Sequence, residues 1–389
     1  DQEFDQWVLF NQYTGEKTRL SFRKFELELE QQDSYPSSRV YGKGDQSGFP
    51  ELVDVKLTDY CDRGCVWCYQ GSGKRGKHAE IQKVNKLARM FRDLGVLEVA
   101  LGGGEPTSHP QFCHVLEIFR DNDIVPNFST GTLTWLDDPK TVGAVRRTVG
   151  GFAYTARNAA EVEELISKIT TINSKMENHR VAFRFKPDNC GGFSQDPDCP
   201  IVTIHIVMGT LTRQEFKEIL EKCAAYELGV VLLAYKQRGR GKGKKPIPYD
   251  WWTDEVRDMR TKGCYGTVSI DTPLAQQSQK ELKRDGISPL YFDVVEGTRS
   301  MYVDLVKDKI APHSYVPESG FQSLRYADGP DLDKLYSKLR AGEPEDPAYI
   351  KVMNAIHDRE QHYHQQGVKF LLQRFRHYRD AAMAAKKEK

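Results

Sequence analysis

Leu52-Val-Asp-Val-Lys-Leu-Thr58 runs, after two residues, into Cys61-Asp-Arg-Gly-Cys65-Val-Trp-Cys68. An apolar strand candidate is thus followed by three cysteines, spaced by three and then two residues. One short loop with this spacing can wrap three thiolates around an iron-sulfur cube. Such clusters are normally held by four thiolates, so a set of three leaves one iron open to a small molecule. Zinc and a disulfide knot are the competing readings. Zinc sites want four protein ligands, and His78 is the nearest further candidate. A disulfide framework suits a short secreted chain, whereas this one has 389 residues and no apolar leader is read at its start.

Leu101-Gly-Gly-Gly-Glu-Pro106 follows downstream. With the cysteine loop it resembles the radical S-adenosylmethionine (SAM) superfamily, whose two hallmark motifs stand in this order at the ends of the first and second strands of a partial TIM barrel. The resemblance covers about residues 51 to 240 and implies that Cys61, Cys65 and Cys68 hold a [4Fe-4S] cluster. SAM would bind the open iron, and one electron would split it to a 5′-deoxyadenosyl radical that takes hydrogen from a substrate. By the same resemblance Trp67 stands near adenine, and Gly103, Gly104 and Glu105 stand near the SAM amino group, where a backbone without side chains can come close. Ser129 and Thr130, in Phe128-Ser-Thr-Gly-Thr132, and Thr155 are placed near its carboxylate or ribose.

Strand candidates recur at residues 52–57, 98–101, 126–129, 152–155, 202–208 and 230–235. Helical apolar spacing separates them at 81–94, 110–122, 159–169 and 213–226. The expected fold class is α/β, a partial (βα)6 TIM barrel with an N-terminal β-hairpin and a C-terminal α+β extension. The domains expected are a hairpin extension at 1–50, the barrel core at 51–245, an extension at 246–329 and a helical tail at 330–389. Residues 173–200 are read as an inserted hairpin or loop. In the tail, His357, His362 and His364 are read as solvated side chains. Segments 263–271, 300–305 and 311–316 look like the strand pairs of a SPASM or twitch extension. Met301 and His313-Ser314 stand where auxiliary-cluster cysteines are expected, leaving Cys264, which reads as a buried thiol or as an active-site hydrogen donor.

Lys236-Gln-Arg-Gly-Arg-Gly-Lys-Gly-Lys-Lys245 packs six cations and three glycines into ten residues after the sixth strand. Arg238, Arg240, Lys242, Lys244 and Lys245 are candidate phosphate ligands, or else a solvated connector, and Lys74-Arg-Gly-Lys77 adds cations on the same face. The whole chain, at net charge +1 with 29% charged residues, names no partner by charge. No run of 18 apolar residues suggests a membrane span, and a cluster with unpaired thiols implies a reducing, cytoplasmic setting. The function expected is radical modification of a peptide or protein, with modification of a nucleotide or nucleic acid as the alternative. A cluster-bearing sensor is a third, non-enzymatic possibility. An electron donor such as flavodoxin or ferredoxin is the expected partner.

Overall fold

A computed structural model describes residues 6–10, 17–21, 50–176, 182–185, 199–261, 267–287 and 300–324. Near the N-terminus, β1 (Gln6–Phe10) and β2 (Lys17–Ser21) pair antiparallel, Gln6 opposite Ser21 and Phe10 opposite Lys17.

The main body begins with six strands, each followed by a helix. They are β3 (Leu52–Thr58), α1 (Ile81–Leu94), β4 (Glu98–Gly103), α2 (Phe112–Arg120), β5 (Val125–Thr130), α3 (Pro139–Thr148), β6 (Gly151–Thr155), α4 (Ala159–Ser174), β7 (Ile201–Val207), α5 (Arg213–Ala225), β8 (Gly229–Leu233) and α6 (Trp252–Thr261). All six strands run parallel in sequence order. Local chemistry sets the helix starts. Asp138 accepts the amides of Lys140 and Thr141 ahead of Pro139, Asn158 accepts from Glu161, and Thr212 and Glu215 form a reciprocal capping box. α3 and α6 lie outside the helical spacings read from the sequence, because α3 is short and interleaved with Arg and Lys.

The strands carry two faces. Val53, Val55 and Leu57 of β3, with Val99, Leu101, Phe128, Phe152 and Ile204, are buried against the helices. The residues between them point the other way. Register places Asp54, Ala100 and Asn127 on one rung of the inner face, and Ser129, Ala153 and Thr203 on another. A parallel sheet covered on both sides reads as a continuous apolar run. The alternation of Leu-Val-Asp-Val-Lys-Leu-Thr therefore marks a barrel whose inside is polar and open to ligand.

The sheet continues past the barrel at both edges. β9 (Val268–Ile270) adds parallel to β8. Two short helices, α7 (Thr272–Gln277) and α8 (Gln279–Arg284), follow it. β10 (Ser300–Asp304) lies parallel to β3, Ser300 opposite Leu52 and Asp304 opposite Lys56. It then turns antiparallel through β11 (Lys309–Ala311) to β12 (Gln322–Ser323). Of the segments read as an extension, 300–305 thus joins the barrel's first strand, while 311–316 begins at β11, which pairs with β10. Cys264, His357, His362 and His364 lie outside the described residues, as does most of the insertion at 173–200. No helix among the described residues is long and apolar enough to cross a membrane.

Candidate active site

Ligands of parallel barrels bind at the carboxyl ends of the strands, and there the cysteine loop leaves β3. Cys61, Cys65 and Cys68 are free thiols, each partly exposed. Backbone bonds fold the loop on itself. The Cys68 amide donates to Cys65 O at 3.3 Å, Gly71 to Cys68 O at 3.1 Å and Cys61 to Gly73 O at 3.2 Å. Among the described residues no three His, Cys, Asp or Glu side chains converge as ligands of a single ion. His78 spends Nδ1 on Thr58 Oγ1 at 2.9 Å.

The electrostatics also fit a cationic group among the thiols. Burial pushes the Cys61 thiol up. The Arg63 amide acts against this, while the Glu105 carboxylate and the other two cysteines add to the rise. Bound iron would offset that crowding of negative charge.

Two arginines brace the loop. Arg63, between the first two cysteines, crosses the barrel mouth to donate Nη1 to Thr155 O at 2.7 Å and Nη2 to Glu161 Oε2 at 2.9 Å. From the opposite wall Arg240 donates Nε to Cys65 O at 2.8 Å and Nη1 to Ser72 O, and its amide donates to Cys68 O at 2.9 Å. The sequence assigns no role to Arg63 and offers Arg240 as a phosphate ligand or as part of a solvated connector. In the structure the Arg240 guanidinium faces the cysteine loop, Arg238 is half-buried near His313, and Lys242, Lys244 and Lys245 are exposed. Lys74 and Arg75 line a separate groove of about 530 Å³ with Asp59 and Lys307.

The glycine motif packs tightly against the start of the cysteine loop. Gly104 donates its amide to Thr58 O at 2.6 Å, and Glu105 donates to Tyr60 O at 2.7 Å. A Cβ on Gly104 would overlap the Tyr60 carbonyl. One on Gly103, at φ +108°, would overlap Thr58 O and stand 2.6 Å from Lys56 Cγ. These glycines are demanded first by the chain's own backbone, which lets β4 lie against the start of the cysteine loop. Glu105 is 2% exposed and accepts from Thr107 Oγ1 at 2.7 Å, Thr130 Oγ1 at 2.8 Å and the Gly131 amide at 2.8 Å. Burial pushes its carboxyl up against these bonds. The Glu105 and Thr130 side chains thus hold each other, tying the end of β4 to the end of β5. Thr155 offers its carbonyl to Arg63, and the Trp67 carbonyl would lie 3.1 Å from a Cβ on Gly241.

Ser129 instead lines a cleft of about 340 Å³ inside the barrel, with Asn127, Thr203 and His205. A set of ionisable groups, none of them assigned this position from the sequence, faces the same interior. Lys236 Nζ lies 4.9 Å from the Tyr69 ring centre, 5.0 Å from that of Tyr315 and 3.6 Å from Asp271 Oδ2. Desolvation by the surrounding barrel walls pushes the Asp54 carboxyl up to about 6, with Lys236 pulling it back, while the side chain itself is exposed to the open interior. Burial and then Lys236 push His205 down to about 4. The same two causes, with Arg238, bring His313 to about 4. Asp54 stands in the quoted strand without an assigned role, because the convergence of β3, β7 and the loop after β8 is a tertiary fact.

These shifts have opposed consequences for stability. Asp54 binds more proton folded than unfolded between about pH 4 and 6, so its share of stability falls as pH rises through that window. His205 and His313 bind less proton when folded between about pH 4 and 6.5, so theirs rises with pH. Asp54→Asn is expected to remove the falling share and leave stability climbing more steeply from pH 4 to 6.5. Solvent reaching the barrel interior limits the difference to about 1 kcal/mol. Urea midpoints at stepped pH check this, and a slope equal to wild type would contradict the upward shift of the Asp54 carboxyl.

Residues 55–182 match the sequence model of the Radical SAM superfamily. This stretch, about a third of the chain, is similar to radical SAM domains. The GTP 3′,8-cyclase of Photorhabdus laumondii is 30% identical over 81 residues, and that of Edwardsiella ictaluri 26% over 83. Each alignment takes in 20% of this chain and 25% of the relative, so the chain spans about a quarter of the length of these curated relatives. The whole fold is similar to SuiB of Streptococcus suis. The SAM-bound form superposes with a TM-score of 0.60 at 15% identity over 90% of this chain and 91% of that one. The form bound to precursor peptide SuiA gives 0.59 at 14% identity over 87% of each. The family's cofactors are a [4Fe-4S] cluster and SAM.

Proposed function

We propose that the protein is a radical SAM enzyme that modifies a peptide or protein substrate. The observation that carries the reading is the cysteine loop itself, with three free thiols at the carboxyl end of an open parallel barrel, locked from two walls by Arg63 and Arg240. Cys61, Cys65 and Cys68 would hold the [4Fe-4S] cluster, and SAM would lie along the ends of β4, β5 and β6. When bound, the pair supplies one electron to a sulfonium bond and a carbon radical that removes hydrogen from substrate. An acidic one-electron carrier such as flavodoxin or ferredoxin would deliver that electron.

The chain's own residues set the stage for this chemistry. The Glu105 to Thr130 and Gly131 bonds fix the strand ends on which SAM would rest. Gly103 and Gly104 keep β4 against Tyr60, and so keep the loop in register with those ends. Asp54, His205 and Lys236 provide a proton acceptor and donor inside the barrel, where the substrate would reach.

A peptide substrate is favoured by the likeness to SuiB across nearly the whole chain, since that relative is seen with a precursor peptide. The use of Arg240 within the fold also takes one member out of the basic loop that suggested phosphate binding. The local identity to GTP 3′,8-cyclases supports a nucleotide substrate as the second reading, with Lys242, Lys244 and Lys245 available to it.

Protein reconstituted with iron and sulfide, given SAM and dithionite, is expected to release 5′-deoxyadenosine, and release should rise at least tenfold with the right substrate. Peptide libraries and nucleoside triphosphates are the two arms. Stimulation by triphosphates alone, lost when Lys242, Lys244 and Lys245 are neutralised and falling steeply with salt, would reverse the substrate choice. Absence of any 5′-deoxyadenosine from cluster-loaded protein would favour a sensor.

A further inference from the structure

The loop after β8 carries more bonds to the cysteine loop than a connector needs. Besides the three donated by Arg240, its backbone approaches so closely that a Cβ on Gly239, at φ +51°, would stand 2.5 Å from Cys68 O and 2.7 Å from Gly71 N. Gly241 is packed in the same way against Trp67 O. A segment of alternating arginine and glycine suits this task. The glycines let two backbones touch, and the arginine's planar fork reaches the carbonyls of Cys65 and Ser72. Arg240 Nη2 is buried and meets no acceptor among the described residues. A buried guanidinium N–H left over after two bonds is an unusual expense unless something absent from the protein accepts it.

We propose that Arg240 is a positioning residue for the cluster. It holds the carbonyls of Cys65 and Ser72 so that the thiols are aimed before iron arrives, and it sets a permanent positive charge beside the cluster. That charge favours the reduced, more negative state, as hydrogen bonds and local charge do for iron-sulfur centres generally. The inference rests on the cluster-binding reading given above. Arg240 so placed would govern how readily the cluster accepts its electron, while leaving the choice of substrate to other residues.

Arg240→Gln keeps a side-chain donor and loses the charge. Arg240→Lys keeps the charge and loses the fork. Two readouts apply to wild type and both variants. The first is the midpoint potential of the reconstituted cluster, from a dithionite titration followed by electron paramagnetic resonance. The Gln variant is expected to be at least tenfold harder to reduce, a shift of 59 mV for one electron, and the Lys variant to stay within threefold of wild type. The second is amide hydrogen exchange across residues 65–73 in the iron-free proteins, expected to quicken at least tenfold in both variants. A Gln midpoint equal to wild type overturns the inference. If the Gln variant takes up no cluster, the exchange readout decides, and wild-type rates in both variants overturn it. A wild-type protein that takes up no cluster would contradict the proposed function instead, and exchange would still judge the strap.

Discussion

Replacing Cys61, Cys65 or Cys68 singly by Ala is expected to abolish stable iron-sulfur incorporation, with 5′-deoxyadenosine formation falling below detection. Each thiolate would ligate a separate corner of the cube, and with only three protein ligands no other side chain in the loop can substitute. His78, a nearby nitrogen ligand type, is held by Thr58 and packs edge-on against His109, whose ring bonds the Ala79 carbonyl. Cys113, Cys199 and Cys223 are distributed between a helix surface and the core, so Ala there is expected to leave iron content at the wild-type level. Iron and sulfide analysis of the six variants checks both halves of the expectation. Retention of wild-type iron by any of the first three would contradict the ligand assignment.

Gly104→Val is expected to cost roughly 3 kcal/mol and to remove cluster and SAM binding together. Overpacking of a tight site costs about 1–3 kcal/mol, and a clash with backbone lies at the upper end because a main-chain carbonyl cannot rotate aside as a side chain can. From sequence alone, a glycine near the SAM amino group predicts loss of SAM affinity with the cluster intact. The structure changes that expectation. The Cβ space of Gly104 is filled by the carbonyl of Tyr60, directly before Cys61, so a branched side chain would push the cysteine loop itself. Urea unfolding, iron content and SAM binding should therefore change in concert. Loss of SAM affinity with full iron content and unaltered stability would return the glycine to a purely cofactor-facing role.

The barrel was legible because its signals are local. Strand candidates from 52–57 to 230–235 each coincide with an observed strand to within a few residues, since the apolar face of every strand packs on a helix and alternates with an open interior. The edges were less legible. β10 pairs with β3 across some 240 residues of sequence, and nothing in Ser300-Met-Tyr-Val-Asp304 names that partner. In the site, the cysteine and glycine motifs stood out because they are contiguous. The arginines did not, because a cation in a glycine-rich loop looks the same whether it meets a phosphate or a carbonyl of its own chain. Only the tertiary contact of Arg240 with Cys65 and Ser72 separates the two. Lys56 was hidden in the same way. It is 2% exposed and pairs with Asp59 at 2.5 Å and Asp304 at 3.3 Å, a buried charge beneath Gly103 that the strand pattern alone would have left pointing at solvent.

The central claim is that three cysteines hold one cluster with an iron left open for SAM, and an anaerobic titration of the reconstituted, reduced protein tests it most directly. Iron analysis should give about four irons per chain, and added SAM should change the electron paramagnetic resonance spectrum of the reduced cluster, as a ligand on the open iron must. About one zinc per chain, or a four-iron cluster whose spectrum ignores SAM at saturating concentration, would contradict the account.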